Sequence, residues 1–305
     1  MLYVLLEMTA LIAFGAIWAK FSPKWLDAEQ LRFWLTKSVF YVFLPALVLK
    51  VLWSTALTTD SLRLSATAIS GVIFALALTH ILYRFIPIGR AAFGAILLAS
   101  IFPNVTYMGL PVLDALYGEW VQSVAIQYDL FGTLPLVFTL GIALASRYSP
   151  SAESRFDVTE FLRIPAVWAA ALALGLQALG STPVASIMTV LEWLAVPVAP
   201  FMLFAVGLSL KLKSFSKHRL LILSPVMFVQ FIAVPLFVWG FGANIGLQGE
   251  WLQAVVLEAA MPAMVLGIVL CDRYQLDSRL FATAVTVTTA STIVIIPLWF
   301  NILQI

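Results

Sequence analysis

Long apolar runs alternate with short polar breaks along the whole chain. The breaks fall where charged residues, Pro and Gly cluster, and they separate ten apolar segments of helix length. These segments cover residues 2–19, 33–53, 64–83, 91–116, 121–145, 162–180, 186–210, 220–240, 251–271 and 280–302. All are longer than the roughly ten-residue alternating strands of an outer-membrane barrel, and a spanning helix needs about 20 apolar residues. The pattern predicts an all-α polytopic membrane protein with ten transmembrane helices.

The amino-acid composition excludes several other classes of protein. The chain has 305 residues, of which 62% are hydrophobic and 10% charged, and its mean hydropathy is +1.02. A soluble domain carries about 25% charged residues, so no soluble domain of useful size is expected. The single cysteine, Cys271, excludes a disulfide, and the two histidines, His80 and His218, lie too far apart in sequence to suggest a zinc site. We predict no metal and no cofactor, and the net charge of +2 gives no indication of a nucleic-acid partner.

The basic residues are divided unevenly between the two ends of the predicted helices. Fifteen of the 17 Lys and Arg residues fall at one set of alternate ends, and only Lys50 and Arg63 fall at the other. Because basic residues are retained in the cytoplasm during insertion, this division predicts ten spans with both termini outside. Glu7 interrupts the first apolar run, which lacks a cleavage pattern, so we interpret this run as a retained span. We expect a multi-pass protein of the plasma membrane or bacterial inner membrane, with Lys50 and Arg63 as interfacial anchors.

The longest cytoplasmic connection divides the chain nearly in half. Residues 1–145 and 162–305 each hold five predicted spans, and residues 146–161 link them. An odd number of spans per half forces the halves into opposite orientations, as in inverted-repeat secondary transporters. The fourth and ninth spans also share an order of Pro, Gly, Asp and Tyr. We therefore predict two inverted five-helix repeats.

Two prolines near the predicted bilayer midplane mark a candidate site. Pro103 lies 12 residues into the fourth segment, and Pro262 lies 11 residues into the ninth. Proline removes an amide donor and clashes with the preceding turn, so both helices should break there and present N-termini that favour anions. Paired breaks at matching positions of two halves are typical of transporter binding sites. The alternative is that each proline only kinks its helix.

Polar and small residues near these breaks extend the candidate site. Asn104 follows Pro103 and offers two donors and one acceptor, with Thr106 and Tyr107 close by. The alternative for Asn104 is a structural amide that satisfies the broken backbone. Gly109 and Gly267 are expected to permit close helix crossing.

Acidic residues are rare in the predicted spans, and five are found there: Glu7, Asp114, Asp129, Glu192 and Glu258. Three of them lie near span ends, where solvation accounts for them. Asp129 lies eight residues into its span, and Glu258 lies four residues before the proline of the ninth span. Ionisable residues in hydrocarbon are candidates for function, so Asp129 and Glu258 are candidates for coupling to H⁺ or Na⁺. The alternative for Glu258 is a carboxylate that faces an aqueous vestibule.

Several stretches together suggest a family. They are Phe-Pro-Asn-Val-Thr-Tyr-Met-Gly-Leu-Pro-Val-Leu at 102–113 with Tyr117-Gly118, Ala260-Met261-Pro262, Asp272-Arg273-Tyr274, the Thr-rich tenth segment ending at Ile296-Pro297, and Phe-Tyr-Val-Phe-Leu-Pro-Ala-Leu at 40–47. From end to end, the chain resembles the auxin efflux carrier family, which includes plant carriers and bacterial permeases.

The resemblance implies a bile-acid-symporter-like fold in which broken helices four and nine cross at their prolines. It further implies a scaffold of helices one, two, six and seven, a homodimer, and a core that moves like an elevator. Substrate would bind at the crossing, with Asn104 and the backbone beside both prolines holding its carboxylate. Ala263 stands where plant members carry a polar amide, so small organic acids such as malonate or malate are expected rather than indole acetate. The candidate substrate-binding residues are Pro103, Asn104, Thr106, Tyr107, Gly109, Pro111, Met261, Pro262, Ala263 and Gly267.

Two other classes of function are alternatives to transport. A membrane receptor or signalling scaffold of the same fold would normally carry a soluble output domain, and the predicted loops are short. An intramembrane enzyme lacks support because no Ser/His/Asp or Cys/His arrangement can be assembled within the spans. We therefore predict a secondary transporter of small organic anions and no enzyme activity.

Overall fold

The computed structural model describes residues 2–23, 26–55, 57–150, 162–209 and 217–304, and these parts of the chain are built of helices. Within them, the only β-type pairing is a single bridge between Pro103 and Ala263. The helices, in chain order, are α1 (Leu2–Phe21), α2 (Ala28–Ser54), α3 (Thr59–Tyr83), α4 (Arg90–Ile101), α5 (Leu110–Tyr117), α6 (Val121–Tyr148), α7 (Pro165–Ala178), α8 (Ala185–Leu208), α9 (Leu220–Asn244), α10 (Gly249–Ala259), α11 (Gly267–Arg273) and α12 (Ser278–Leu303).

Six helices, α2, α3, α6, α8, α9 and α12, are long and apolar enough to cross a membrane. Part of α1 and the whole of α4 and α7 are apolar but shorter. For the described residues, the prediction of an all-α protein with several helices able to cross a membrane is confirmed. Ten crossings in two inverted repeats stay a prediction, since the fourth and ninth predicted spans are each interrupted and two others are short. Most of the predicted linker 146–161 lies outside the described residues.

Polar side chains define where the long helices begin. The carboxylate of Asp27 accepts a hydrogen bond from the amide of Gln30 at 3.3 Å at the start of α2. Thr58 and Ser61 form a reciprocal capping box at the start of α3. Asp277 accepts a hydrogen bond from the amide of Leu280 at 2.9 Å at the start of α12. These side chains satisfy amide donors that have no acceptor within the first turn.

The helices contact one another mainly within two groups. The first, which we call the α2 group, consists of α1, α2, α7 and α8. The second, which we call the crossing group, consists of α3 to α6 and α9 to α12. Contacts between the groups involve chiefly the turn Val105–Gly109, α5 and α6 on one side and α1, α2 and α8 on the other. The α2 group and the crossing group therefore meet along a limited surface.

Close backbone approaches hold the α2 group together. Gly15 of α1 lies against the backbone of Phe204, and Gly207 of α8 lies against the backbone of Ile12, so a Cβ atom at either glycine would overlap the facing helix. Small residues permit such close packing where hydrocarbon surrounds the helices. The side-chain amide of Gln177 in α7 donates from Nε2 to the carbonyl of Thr55 at 2.8 Å, which joins α7 to the end of α2.

Candidate functional site

The two helix interruptions that the paired prolines predict meet each other. The backbone amide of Asn104 donates to the carbonyl of Pro262 at 2.8 Å, and the backbone amide of Met264 donates to the carbonyl of Phe102 at 2.9 Å. These bonds form the antiparallel bridge between Pro103 and Ala263. Backbone groups freed by proline need partners where water is absent. Each broken helix supplies those partners to the other.

Two further contacts satisfy the backbone at this crossing. The carbonyl of Asn104 accepts hydrogen bonds from the amides of Met108 and Gly109 at 3.2 and 3.0 Å, which starts the helical turn that leads into α5. The amide of Ala263 donates to the hydroxyl of Thr288 in α12 at 3.2 Å. The crossing is therefore fixed to a third helix as well as to itself.

The side chain of Asn104 remains available for a ligand. It is 1% exposed, and its Nδ2 atom has no hydrogen-bond partner among the described residues. It lines a cavity of about 40 Å³ beside Thr106 and Tyr107. Leaving a buried donor unpaired costs about 1–3 kcal/mol, so such groups usually serve a ligand or water. The alternative for Asn104 was a structural side chain that pairs with the broken backbone. The main chain of Asn104 makes such pairings, and its Nδ2 donor does not.

This small cavity lies between the two helix groups. Its walls are largely apolar, and its lining residues are Phe40, Leu44 and Val48 of α2, Ile164 and Ala166 at the start of α7, Ile126, Asp129, Leu130 and Leu134 of α6, and Asn104, Thr106, Tyr107, Met264 and Leu266 at the crossing. A volume of about 40 Å³ holds only a few water molecules. A dicarboxylate would therefore need the groups to separate slightly.

Asp129 places a carboxyl group in the wall of the same cavity. It is 6% exposed and accepts a hydrogen bond from the hydroxyl of Thr106, while its Oδ1 atom has no partner among the described residues. A π-type turn, Asp129–Thr133, widens α6 at this position. Such turns are frequent at functional sites in helices. The cavity thus presents an amide donor and an acid together.

Glu258 is buried more completely and lies outside the wall of the small cavity. Its side chain is 0% exposed, and neither carboxyl oxygen has a hydrogen-bond partner within the described parts of the chain. The carboxyl group lies directly against Gly109, so the backbone at the start of α5 is its immediate neighbour. The alternative expectation, a carboxylate facing an aqueous vestibule, is wrong for this conformation because the group has no exposed surface.

The other predicted residues surround the crossing without lining the small cavity. Pro111 is buried at the second position of α5, and Met261 is buried beside Pro262. Gly267 begins α11 and lies against the ring of Phe281, which matches the packing role expected of it. The apolar walls that α2 and α7 provide were not among the predicted site residues. Ile164 and Ala166 look like ordinary core positions in the sequence, whereas Phe40 and Leu44 lie in the stretch 40–47 that carries the family resemblance but was not assigned to the site.

The interpretation of Lys50 as an interfacial anchor is wrong. Its side chain is 11% exposed, and its Nζ atom forms ion pairs with Glu119, at 2.5 Å, and with Glu192. Glu192 lies in the same group of helices, whereas Glu119 lies between α5 and α6 in the crossing group. A cavity of about 240 Å³ beside Lys50 is also lined by Asp114 and Glu192. Arg63 pairs with Asp60 of its own helix at 2.7 Å.

Comparison with known proteins identifies the family. The sequence profile of the family described as membrane transport protein matches residues 4–300. The chain belongs to this family, which contains the auxin efflux carriers. Among the residues that the structure describes, no group of three or more His, Cys, Asp or Glu side chains is found that would hold a metal ion.

Relatives within the membrane transport protein family are named as transporters. An uncharacterized transporter of Methanothermobacter thermautotrophicus is 28% identical over 205 residues, which is 67% of this chain and 66% of the relative. The uncharacterized transporter MJ1031 of Methanocaldococcus jannaschii is 24% identical over 68% of this chain and 67% of its own length. The uncharacterized transporter YfdV of Escherichia coli is 25% identical over 72% of this chain and 71% of its own length. The family and these relatives support a multi-pass membrane transporter.

Proposed function

We propose that this chain is a secondary transporter of small organic anions, with mono- or dicarboxylates as its substrates. The observation that carries the proposal is the buried Nδ2 donor of Asn104, which has no partner among the described residues, beside the paired breaks at Pro103 and Pro262. The helical turn that starts at Val105 adds amide groups with no acceptor in their own helix. Amide donors and helix N-termini bind carboxylates without a buried Lys or Arg.

We propose an elevator mechanism, in which one helix group moves against the other. The small cavity, the cavity beside Lys50 and a third, wider cavity all have walls from both groups. Contacts between the groups are sparse compared with contacts within them. In this proposal the crossing group carries the substrate past the α2 group, within ten spans arranged as two inverted repeats.

The carboxyl group of Asp129 in the site favours coupling of transport to a cation. A substrate carboxylate beside Asp129 would be repelled if both were ionised, because like charges in a medium of low dielectric constant interact strongly. Binding of H⁺ or Na⁺ together with substrate removes this repulsion. Glu258, buried without a partner among the described residues, is the second candidate for the coupling ion. We assign the primary role to Asp129 because it lines the cavity that Asn104 also lines.

Orientation in the membrane forms part of the same proposal. The described basic residues Arg32, Arg84, Arg147 and Arg279 belong to the ends that the charge distribution assigns to the cytoplasm. This assignment puts both termini outside, in a plasma or bacterial inner membrane.

Binding and uptake measurements with a matched pair of variants test the proposal. Purified protein is screened for thermal stabilisation by mono- and dicarboxylates, with and without Na⁺ and across pH, and the acid that stabilises is tested for uptake into proteoliposomes. A ligand that binds the folded state raises the melting temperature. We expect Asn104→Ala to abolish uptake and to remove most of the stabilisation at physiological salt, and Asn244→Ala, which removes an exposed amide at the end of α9, to preserve both. Uptake that persists in Asn104→Ala, stabilisation as large as in the native protein, or no acid that stabilises the native protein, contradicts the proposal.

A further inference from the structure

A wide cavity of about 630 Å³ leads towards the crossing from one end of the protein. It lies between the start of α2, which belongs to the first group, and α11 and the start of α12, which belong to the second. Phe40, Tyr107 and Leu266 line both this cavity and the small cavity at Asn104. These three residues therefore form the boundary through which a solute in the wide cavity would reach the candidate site.

Three cationic side chains face this cavity from opposite sides. Arg32 and Lys37 belong to α2, and Arg279 belongs to α12. Within the described parts of the chain, no ion pair includes either arginine. The Nζ atom of Lys37 lies 4.3 Å from the centre of the Phe33 ring.

Two carboxylates also line the wide cavity, so its charge is not uniform. Glu29 lies near the start of α2, and Asp272, which accepts a hydrogen bond from the hydroxyl of Ser278, lies near the end of α11. Three cations against two carboxylates leave a net charge of one positive. This excess positive charge is relevant to an anionic substrate, because the small cavity is lined by an amide donor and an acid but by no basic side chain.

The retention of basic residues in the cytoplasm explains why cations lie at this end of the helices, but it does not explain where they point. Such residues are free to face lipid headgroups. Arg32 and Arg279 instead face each other's helix group across a cavity that leads to Asn104. A guanidinium group is matched in geometry to a carboxylate, which it can bind through two parallel hydrogen bonds.

We propose that Arg32 and Arg279 form an anion-capture site in the wide cavity, which binds the carboxylate groups of a substrate before the substrate reaches Asn104. The inference rests on the proposed function for the identity of the solute. Two guanidinium groups on opposite walls favour a dicarboxylate over a monocarboxylate. A cleft with excess positive charge also raises the local concentration of anions, an effect that falls as ionic strength rises.

Binding of malonate to variants that lack the crossing donor tests the capture site by itself. In the Asn104→Ala background, isothermal titration at low salt is expected to detect weak malonate binding that weakens as NaCl is added. Arg32→Gln with Arg279→Gln should remove this residual binding. Arg84→Gln, which neutralises an exposed arginine outside the wide cavity, should retain it. Residual binding that is absent, or equal in the double variant and Arg84→Gln, overturns the inference.

Uptake kinetics in the otherwise native protein provide the second measurement. We expect the double variant to raise KM for malonate about fivefold at low salt, to raise KM for acetate less, and to leave kcat unchanged. Its KM should also depend less on salt than that of Arg84→Gln. A KM for malonate that matches that of Arg84→Gln at every salt concentration contradicts capture. If the native protein transports no carboxylate while the residual binding follows the expected pattern, the proposed function fails and the anion site remains.

Discussion

The carboxyl group of Glu258 packs directly against Gly109, although the two residues lie on different broken helices. A Cβ atom built on Gly109 would overlap both carboxyl oxygens of Glu258. Glu258 is fully buried four residues before Pro262, so its carboxyl group has little room to move away. The absence of a side chain at Gly109 therefore allows the second half of the fourth predicted span to approach the first half of the ninth.

We expect Gly109→Ala to destabilise the protein by about 1–3 kcal/mol, which is the range for forcing an extra methyl group into a packed interior. The matched control is Gly175→Ala in α7, where an added Cβ atom meets nothing within 4 Å. That substitution should be neutral or slightly stabilising, because alanine favours a helix over glycine. Thermal unfolding of both variants in the same detergent makes the comparison. Equal melting temperatures for the two variants would contradict this prediction, because they would show that the Glu258 side chain moves aside at little cost.

Neutral replacement of the two buried acids tests whether transport is coupled to a cation. If Asp129 carries the coupling cation, Asp129→Asn should retain substrate binding and lose the dependence of uptake on a pH or Na⁺ gradient. Glu258→Gln is expected to reduce that dependence less, since Glu258 does not line the small cavity. The control is Glu250→Gln in the first turn of α10, where the side chain is exposed. Gradient dependence that survives in both buried-acid variants, measured in proteoliposomes, rules out coupling through either residue.

Lys50 connects the two helix groups at the end opposite the wide cavity. Arg32 and Lys50 lie 18 residues apart on α2, a distance of about 27 Å along a helix. In Lys50→Met, Glu119 and Glu192 lose their shared cation and repel each other. We expect this end to open more often, which should raise the labelling rate of an introduced cysteine, Ala199→Cys, in the adjoining cavity several-fold.

The control for this labelling is Arg63→Met. Arg63 pairs with Asp60 three residues earlier on the same helix, so its loss removes an ion pair without releasing one group from the other. The native Cys271 is buried and supplies the background rate. The measurement is the rate at which a membrane-impermeant thiol reagent labels Ala199→Cys in each background. If this rate is the same with Lys50→Met as with Arg63→Met, the Lys50 ion pairs do not hold this end closed.

Local chemistry explains which parts of this site the sequence predicted. A proline deep inside an apolar segment breaks a helix whatever its neighbours are, so Pro103 and Pro262 indicated where the backbone would need partners. The polar residues beside a break are likewise adjacent in the chain, which made Asn104, Thr106 and Tyr107 recognisable. The depth of Asp129 followed from counting along its segment.

Contacts between distant segments account for what was missed. Nothing near Lys50 in the sequence indicates Glu119 or Glu192, since both partners are brought to it by packing. Ile164 and Ala166 are unremarkable apolar positions in the sequence, and only the fold brings them to the cavity that Asn104 lines. Gly109 was correctly expected to permit close approach, but its neighbour, Glu258, lies 149 positions away.

The hydroxyl of Thr288 provides a test of how firmly the crossing must be held. It accepts a hydrogen bond from the amide of Ala263 at 3.2 Å and donates to the carbonyl of Ala284 at 2.8 Å. Thr288→Val keeps the shape of the side chain but leaves a buried amide unpaired, which should cost about 1–3 kcal/mol. Thr189→Val in α8 removes an exposed hydroxyl that bonds only its own helix and should cost less. Because Ala263 forms the bridge with Pro103, the residue before Asn104, we expect Thr288→Val to weaken malonate binding as well as lower the melting temperature. A lower melting temperature with unchanged affinity would mean that the bridge between Pro103 and Ala263 keeps its geometry without the third helix.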